Sequence, residues 1–440
     1  MLEKVTVVGG GLAGCECALQ LADRGVAVTL YEQRPQNPGP AHHTDGLAEL
    51  VCSNSLKSTK PDSAAGVLKA ELQMMDCRLL EFARETSVPA GGALAVDREA
   101  FSAKVTAAVE GHPLIEVVRR EVTRIPEGPC VIAAGPLCSE ALFSQVSNML
   151  GSDSLSFFDA AAPIVSADSL DMDVVFRQSR YEDEGIGDYL NCPMEKDEYY
   201  AFIDALLGAK KVIAKEFEQK DLFCACQPVE EIARTGKDAP RFGALKPVGL
   251  VDPRSGRRPW AAVQLRSETS SKQAYNLVGF QTNLTWPEQK RVFSMIPGLK
   301  NAEFLRYGVM HRNSFIDSPH VLDKTFAVPG TQVRFAGQIC GTEGYVEAIA
   351  SGLLAALNTY AQLTGAPCVD LPKTGSLGSL VAYATDPATK DYQPMHVNFG
   401  VYEPLPALPR NKGERRQAMA QRAVADLQAY VAGRHDLFGK

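Results

Sequence analysis

No stretch of the chain approaches the ~20 consecutive apolar residues needed to cross a bilayer. Its first residues run from Met1 straight into a short apolar strand, without the basic region and long apolar core of a secretory leader. Both absences point to a cytoplasmic protein with no membrane partner. Positive charge is not in excess either: 45 Lys and Arg stand against 52 Asp and Glu, a net charge of -7. That argues against an indiscriminate nucleic-acid binder and leaves room only for a local basic face that docks one RNA. The eleven cysteines are odd in number and scattered, so a disulfide framework is not expected, and thiols kept reduced are available for chemistry. No Cys-x-x-x-x-Cys redox pair occurs, no metal-ligand grouping is visible, and no internal repeat is found.

What is present begins at residue 4. Lys4–Val8 reads as a strand, Gly9-Gly10-Gly11-Leu12-Ala13-Gly14 as a turn, the residues to about Arg24 as a helix and Val26–Glu32 as a second strand. In Gly-x-Gly-x-x-Gly the glycines let the backbone turn sharply and approach a pyrophosphate, and the helix N-terminus then faces negative charge. Glu32 ends the second strand, where a carboxylate can accept ribose hydroxyls, with Gln33 beside it. A second glycine-rich strand end, Phe335-Ala-Gly337-Gln338 to Gly344, leads into another helix. Two distant pieces of one Rossmann-like domain clamping one cofactor suggest FAD rather than NAD.

The 440 residues, 45% hydrophobic and 22% charged, suffice for two or three cores. Arg34–Ser63 reads as an ordered functional loop, Val67–Arg84 as a helix, and Cys130–Gly135 as a buried strand beside the first unit. Between about Val165 and Leu305 the texture changes to charged helical stretches such as Lys196–Lys215 and strand-like pieces such as Ala261–Leu265 and Ala274–Gln281. Thr331–Gly337 then gives another strand, Tyr345–Ala361 an apolar helix, and Glu414–Val431 a charged, amphipathic one. The expected fold is α/β: a Rossmann-like FAD-binding domain (1–165 and 305–440, the second part carrying the C-terminal helix) interrupted by a smaller α+β inserted domain (166–304).

Several strings coincide: Gly9 to Ala18, Glu49-Leu-Val-Cys52-Ser-Asn-Ser-Leu-Lys57-Ser, Val88 to Asp97-Arg98 and Phe157 to Pro163. Farther on come Tyr189 to Met194, Cys226-Gln-Pro-Val-Glu230, Asp252-Pro-Arg254, Arg306 to His311-Arg312-Asn313, and Gly337-Gln338. Together they resemble the methylenetetrahydrofolate- and FAD-dependent tRNA uracil-5-methyltransferase family along practically the whole chain. The resemblance implies methylation of uridine 54 in the tRNA T-loop to 5-methyluridine (ribothymidine). The methylene group would come from methylenetetrahydrofolate through the flavin, and the electrons from NADH or NADPH; the partners would be tRNA through its T-arm, folate and nicotinamide dinucleotide, with no obligatory protein partner.

C5 of uracil is a poor nucleophile, and a thiolate added at C6 turns the ring into an enolate that can attack an electrophilic methylene. A base must then take the C5 proton so that the thiolate can leave, and a hydride must finish the methyl group. By resemblance Cys226 is the candidate for attack on uracil and Cys52 the proton-handling or flavin-proximal thiol. A thiol of either kind needs a nearby cation or helix N-terminus to ionise, and Lys57 and Arg234 are the sequence neighbours. Two positions depart from the family pattern: Cys224-Ala-Cys226 replaces a glycine-containing approach, with Cys224 read as inert ahead of the alternative of a redox pair with Cys226, and Cys340 stands where a small or hydroxyl residue is expected. The resemblance also sets His311, with Arg312 and Asn313, against the pteridine of the folate. For RNA, the positive candidates are Arg254, Arg257 and Arg258 beside Trp260, then Arg415, Arg416 and Arg422 on the last helix. The rival readings are an FAD-dependent wobble-uridine modification that needs a GTPase partner, and a non-catalytic flavin-bound RNA chaperone whose cysteines are core residues.

Overall fold

The computed structural model describes residues 2–39, 41–151, 155–182, 187–213, 227–389, 392–407 and 409–438, with the backbone alone at 155–159 and 311–312. Cys224 and Cys226 therefore lie outside the described residues. Strand Val5–Val8 is apolar at every position but one and is flanked on both sides by parallel neighbours, Val28–Glu32 and Cys130–Ile132. Val333–Phe335 and Ile115–Arg119 complete a five-stranded all-parallel sheet. All-parallel sheets must be covered on their faces, which is why these strands are nearly continuous in apolar residues.

Helix Leu12–Asp23 covers this sheet and is buried along almost its whole length. It crosses the twenty-residue helix Tyr345–Thr364 closely enough that a Cβ on Gly352 would lie 2.2 Å from the Ala13 carbonyl oxygen. The N-terminal strands and a helix from the last quarter of the chain thus share one core.

The expected single helix Val67–Arg84 is two, Ala64–Met74 and Arg78–Glu85, broken where Asp76 takes φ 55°. The reason is tertiary. The buried Glu16 carboxylate accepts from the Arg78 and Leu79 amides and so caps the second helix, a long-range contact that periodicity does not contain. Elsewhere the helix from Lys196 ends at Leu207, and the strand from Ala274 ends at Leu277.

A six-stranded sheet in the middle of the chain runs in the order Phe176–Arg177, Tyr189–Met194, Ala261–Ser267, Ala274–Leu277, Ile164–Ser166, Phe304–Arg306, with antiparallel pairing throughout. With helices Lys196–Leu207, Val229–Thr235 and Trp286–Phe293 it encloses a second hydrophobic core built around Tyr199, Phe202, Phe280 and Phe293. A two-stranded ribbon, Leu155–Ala160 with Met310–Phe315, links the two bodies, since Ser314 donates to the Pro136 carbonyl and Ile316 to that of Ile339. No helix is long and apolar enough to cross a membrane among the described residues.

Candidate active site

The central strand Val5–Val8 has its sequential neighbour Val28–Glu32 on one side and Cys130–Ile132 on the other. Strand order reverses there, which leaves a crevice at the carboxyl ends of the strands. A cleft enclosing about 970 Å³ of empty space, solvent included, opens at that point; it is lined by Gly9–Ala13, Glu32–Arg34, Ala133–Leu137, Gly337, Gln338, Tyr345 and others. Gly9 takes φ 108°, and a Cβ there would lie 2.4 Å from the Ala133 carbonyl oxygen; one on Gly14 would lie 1.8 Å from the Gly9 oxygen. At Gly11, by contrast, a Cβ would meet nothing within 4 Å, so the backbone that opens helix Leu12–Asp23 is bare toward the cleft. No side chain caps this helix, nor the helix that starts at Tyr345 after Gly344. Uncapped amides with a positive helix end suit the phosphates of a dinucleotide, so the residues present fit FAD.

Glu32 lies in the cleft wall as expected, but it is not isolated. It accepts from the Gly10 amide at 3.0 Å and from Arg34 Nε at 2.9 Å, and Arg34 in turn pairs with Glu49 at 3.0 Å. Burial works against its charge, yet the hydrogen bonds and positive charge of Arg34 prevail and hold the carboxyl below its usual range. Gln33 lines the same wall. On the far side, Gly337 takes φ 86° and donates to Ser351 Oγ at 2.7 Å, and Gln338 Nε2 donates to Glu343 at 2.6 Å. Cys340 points away from ligand chemistry: its sulfur lies 3.0 Å from the Gly337 oxygen, and burial pushes its thiol up to about 12.

Cys52 sits where the cleft meets the ribbon. Its amide donates to the Tyr345 hydroxyl oxygen at 2.7 Å, and Val51 and Tyr345 both line the cleft. Its sulfur lies 3.7 Å from the Ala160 carbonyl, and Ala160 pairs in register with Met310, next to His311, which itself stands opposite Asp159. The backbone thus brings Cys52, His311, Arg312 and Asn313 into one neighbourhood. Three consecutive carbonyls around the thiol are held by arginines: Arg98 donates to Leu50 at 2.6 Å and to Cys52 at 3.4 Å, and Arg306 donates to Val51 at 2.7 Å. Arg98 is also ion-paired with the buried Glu268, which directly follows strand Ala261–Ser267 of the six-stranded sheet. Burial disfavours the Arg98 cation, but Glu268 first, then Tyr345 and Cys52, raise it above its usual value. Burial, reinforced by the charge of Cys52, pushes the Tyr345 hydroxyl up.

The sequence neighbours expected to serve the thiols are engaged elsewhere. Lys57 pairs with the fully buried Glu347 at 2.7 Å, and Arg234 with Glu231 at 3.3 Å, whereas Arg98 reaches the Cys52 carbonyl and its charge acts on Cys52. Arg98 belongs to a family string, but its partner Glu268 lies 170 positions away and only folding unites them. Most other described thiols are inert by burial: Cys15, Cys17 and Cys192 are pushed far up, and Cys130 and Cys138 to about 12. No group of three or more metal-ligating side chains occurs among the described residues.

The basic residues near Trp260 are not gathered at the cleft. Arg254 is folded back on Asp252 at 3.0 Å, Arg257 and Arg258 sit on the exposed loop before strand Ala261–Ser267, and the Trp260 ring is covered by Arg241, whose guanidinium carbon lies 3.8 Å from the ring centroid. Arg415 and Arg422 of the last long helix donate to carbonyls of the preceding segment.

The family model described as "Glucose inhibited division protein A" matches residues 4–367. The methylenetetrahydrofolate–tRNA-(uracil-5-)-methyltransferase TrmFO of Geobacter sulfurreducens is 54% identical, covering 98% of this chain and 100% of that one. The protein of the same name from Bacillus subtilis is 51% identical over 97% and 98%. The chain belongs to this methyltransferase family. Aquifex aeolicus GidA shares its fold, with a TM-score of 0.72 at 14% identity, over 99% of this chain and 74% of that one. The methyltransferase family is therefore built on the GidA-type α/β fold.

Proposed function

We propose that the chain methylates C5 of uridine in the T-loop of tRNA, taking the one-carbon unit from methylenetetrahydrofolate and electrons from NADH or NADPH. One observation supports it above the others: a half-buried thiol, Cys52, is fixed at the end of a dinucleotide cleft and braced by Arg98, Arg306 and Tyr345. FAD, when bound, supplies the hydride and carries the one-carbon unit. Gly9–Gly14 and Glu32–Gln33 would hold its adenosine diphosphate half, and Gly337, Gln338 and Gly344 would contact the remainder.

The protein's own work is on the uracil. In the family's pattern Cys226 adds through sulfur to C6, which places electron density on C5. After C5 has formed its new carbon bond, Cys52 takes the C5 proton and the C6–S bond breaks, returning the thiolate. Arg98 keeps the Cys52 loop in place and provides a fixed positive charge beside it. His311, flanked by Arg312 and Asn313, offers a flat ring and a hydrogen-bonding edge for the pteridine. With the chain divided as 1–165, 166–304 and 305–440, the middle part would present RNA to a cofactor that the outer two would hold, and Arg254, Arg257 and Arg258 would supply outlying positive charge. The uridine is buried in the tRNA elbow and must be exposed before sulfur can reach it.

The test is incubation of the purified flavoprotein with undermodified tRNA, labelled methylenetetrahydrofolate and NADH or NADPH, without a GTPase. Label in ribothymidine is the expected result. A yellow protein that leaves the tRNA unlabelled would overturn the reading, and labelling that needs a GTPase would move it to wobble-uridine chemistry.

A further inference from the structure

The chain has two tryptophans. Trp260 is covered, with Arg241 over its ring at 3.8 Å and Lys196 at 5.3 Å from the centroid. Trp286 is 58% exposed, although one face of its indole is already stacked on Tyr307, with centroids 5.6 Å apart and planes 14° from parallel. Tyr307 is stacked in turn on Phe304, at 5.3 Å and 9°. Three near-parallel rings form a pile whose inner end packs on the second core and whose outer end is open to solvent.

The pile is rigid. Gln289 Nε2 donates to the Gly308 carbonyl at 2.8 Å and Gly308 donates back to Gln289 Oε1 at 2.7 Å, fastening helix Trp286–Phe293 to the Tyr307 segment. It also adjoins the thiol: Arg306, one residue before Tyr307, holds the Val51 carbonyl next to Cys52. Its surroundings carry exposed positive charge. Lys290 lies one turn after Trp286 on the same helix face, and exposed Lys210 is tied to its start by a bond from the Thr285 amide to the Lys210 carbonyl, 3.0 Å. The nearest acid on that helix, Glu288, is taken by Arg291.

An open, near-parallel ring with cations at its rim matches the two halves of a nucleotide, a flat base and an anionic phosphate. We propose that the free face of Trp286 receives an unpaired base of the tRNA substrate, with Lys210 and Lys290 meeting the adjoining phosphates. The inference deepens the function assigned above and rests on it.

Binding of a T-arm hairpin RNA to the FAD-loaded protein tests it, with wild type, Trp286→Ala, Trp286→Phe and Lys290→Gln compared. W286A is expected to weaken RNA binding about five- to a hundredfold, the range for one lost base stack. Flavin content, the KM for methylenetetrahydrofolate and kcat at saturating RNA should stay at wild-type level. W286F should recover most of the affinity, and K290Q should flatten its salt dependence. In the wild type the RNA should quench indole emission and shield it from a soluble quencher, a signal absent in W286F. Equal RNA affinity in W286A and wild type overturns the inference, as does indole emission indifferent to RNA, a reading that stands even if W286A folds poorly. A change in sedimentation of W286A overturns it too, by assigning the patch to self-association. Failure of the underlying function looks different: the wild type itself would neither bind the hairpin nor methylate it.

Discussion

The dinucleotide cradle and the thiol pocket adjoin each other and share the Tyr345 helix, yet they are held by different means. The first half of the cradle is local: strand, glycine turn, helix and acid all fall between Val5 and Arg34, and the demands of its glycines are steric. The pocket is assembled from Leu50–Cys52, Arg98, Ala160, Glu268, Arg306 and Tyr345, and its demands are electrostatic. A steric site fails all at once when a methyl group is added. An electrostatic one fails by degrees, according to which charge is left unpaired.

The sharpest way to separate the two is to damage each alone. Gly14→Ala places a Cβ 1.8 Å from the Gly9 oxygen, and the purified protein is expected to come off the column colourless and inactive. Full flavin absorbance in that variant would break the comparison. Cys52→Ala and Cys226→Ala should do the opposite, keeping the yellow colour while turnover drops about a thousandfold or more; single-turnover assays of ribothymidine formation read this directly.

An intermediate effect belongs to the bridge between the two bodies. Arg98→Met leaves Glu268 buried without its cation, expected to cost about 3–5 kcal/mol of stability, and loosens the Cys52 loop, for which a slip of about 1 Å lowers turnover roughly a hundredfold. Lys57→Met should leave turnover much closer to wild type, because that lysine serves Glu347 instead. If the two lysine and arginine variants lost activity equally, the assignment of the cation at Cys52 would be wrong.

The smallest effect contrasts the two cores by pH. Glu71 in the first, against the Ser376 and Leu377 amides, and Glu230 in the second, against Thr282 and Asn283, are each raised by burial to about 7. A carboxyl raised on folding adds stability that is full below the ordinary value of 4.5 and is lost as pH climbs through about 7. Denaturation midpoints measured across that window should therefore fall with rising pH. Glu71→Gln and Glu230→Gln should each remove part of the slope, and an unchanged slope in both would show that neither carboxyl is protonated at the low end.

Much of this was legible without coordinates, for a physical reason in each case. The glycine turn, the acid at Glu32 and the alternation of strand and helix are properties of consecutive residues, so spacing alone carried them. The strings around Cys52 and His311 could be read as they stand, whereas it is the ribbon Leu155–Ala160 with Met310–Phe315 that sets Ala160, 3.7 Å from the Cys52 sulfur, opposite Met310. The break at Asp76 was not legible, because its cause is the Glu16 carboxylate capping the next helix from sixty-two positions away. Lys57 misled for a related reason: five residues in sequence from Cys52, its side chain turns to Glu347.

The order of residues by itself determined that this protein has a dinucleotide cleft, which fold class carries it, and which family the chain belongs to, since each depends on contacts within a short segment or on strings that can be read as they stand. Only the tertiary structure decided which charges serve Cys52, which of the two tryptophans is left open, and which buried carboxyls are pushed up. Those outcomes depend on distances between residues far apart in the chain, and burial and Coulomb forces act on such distances alone.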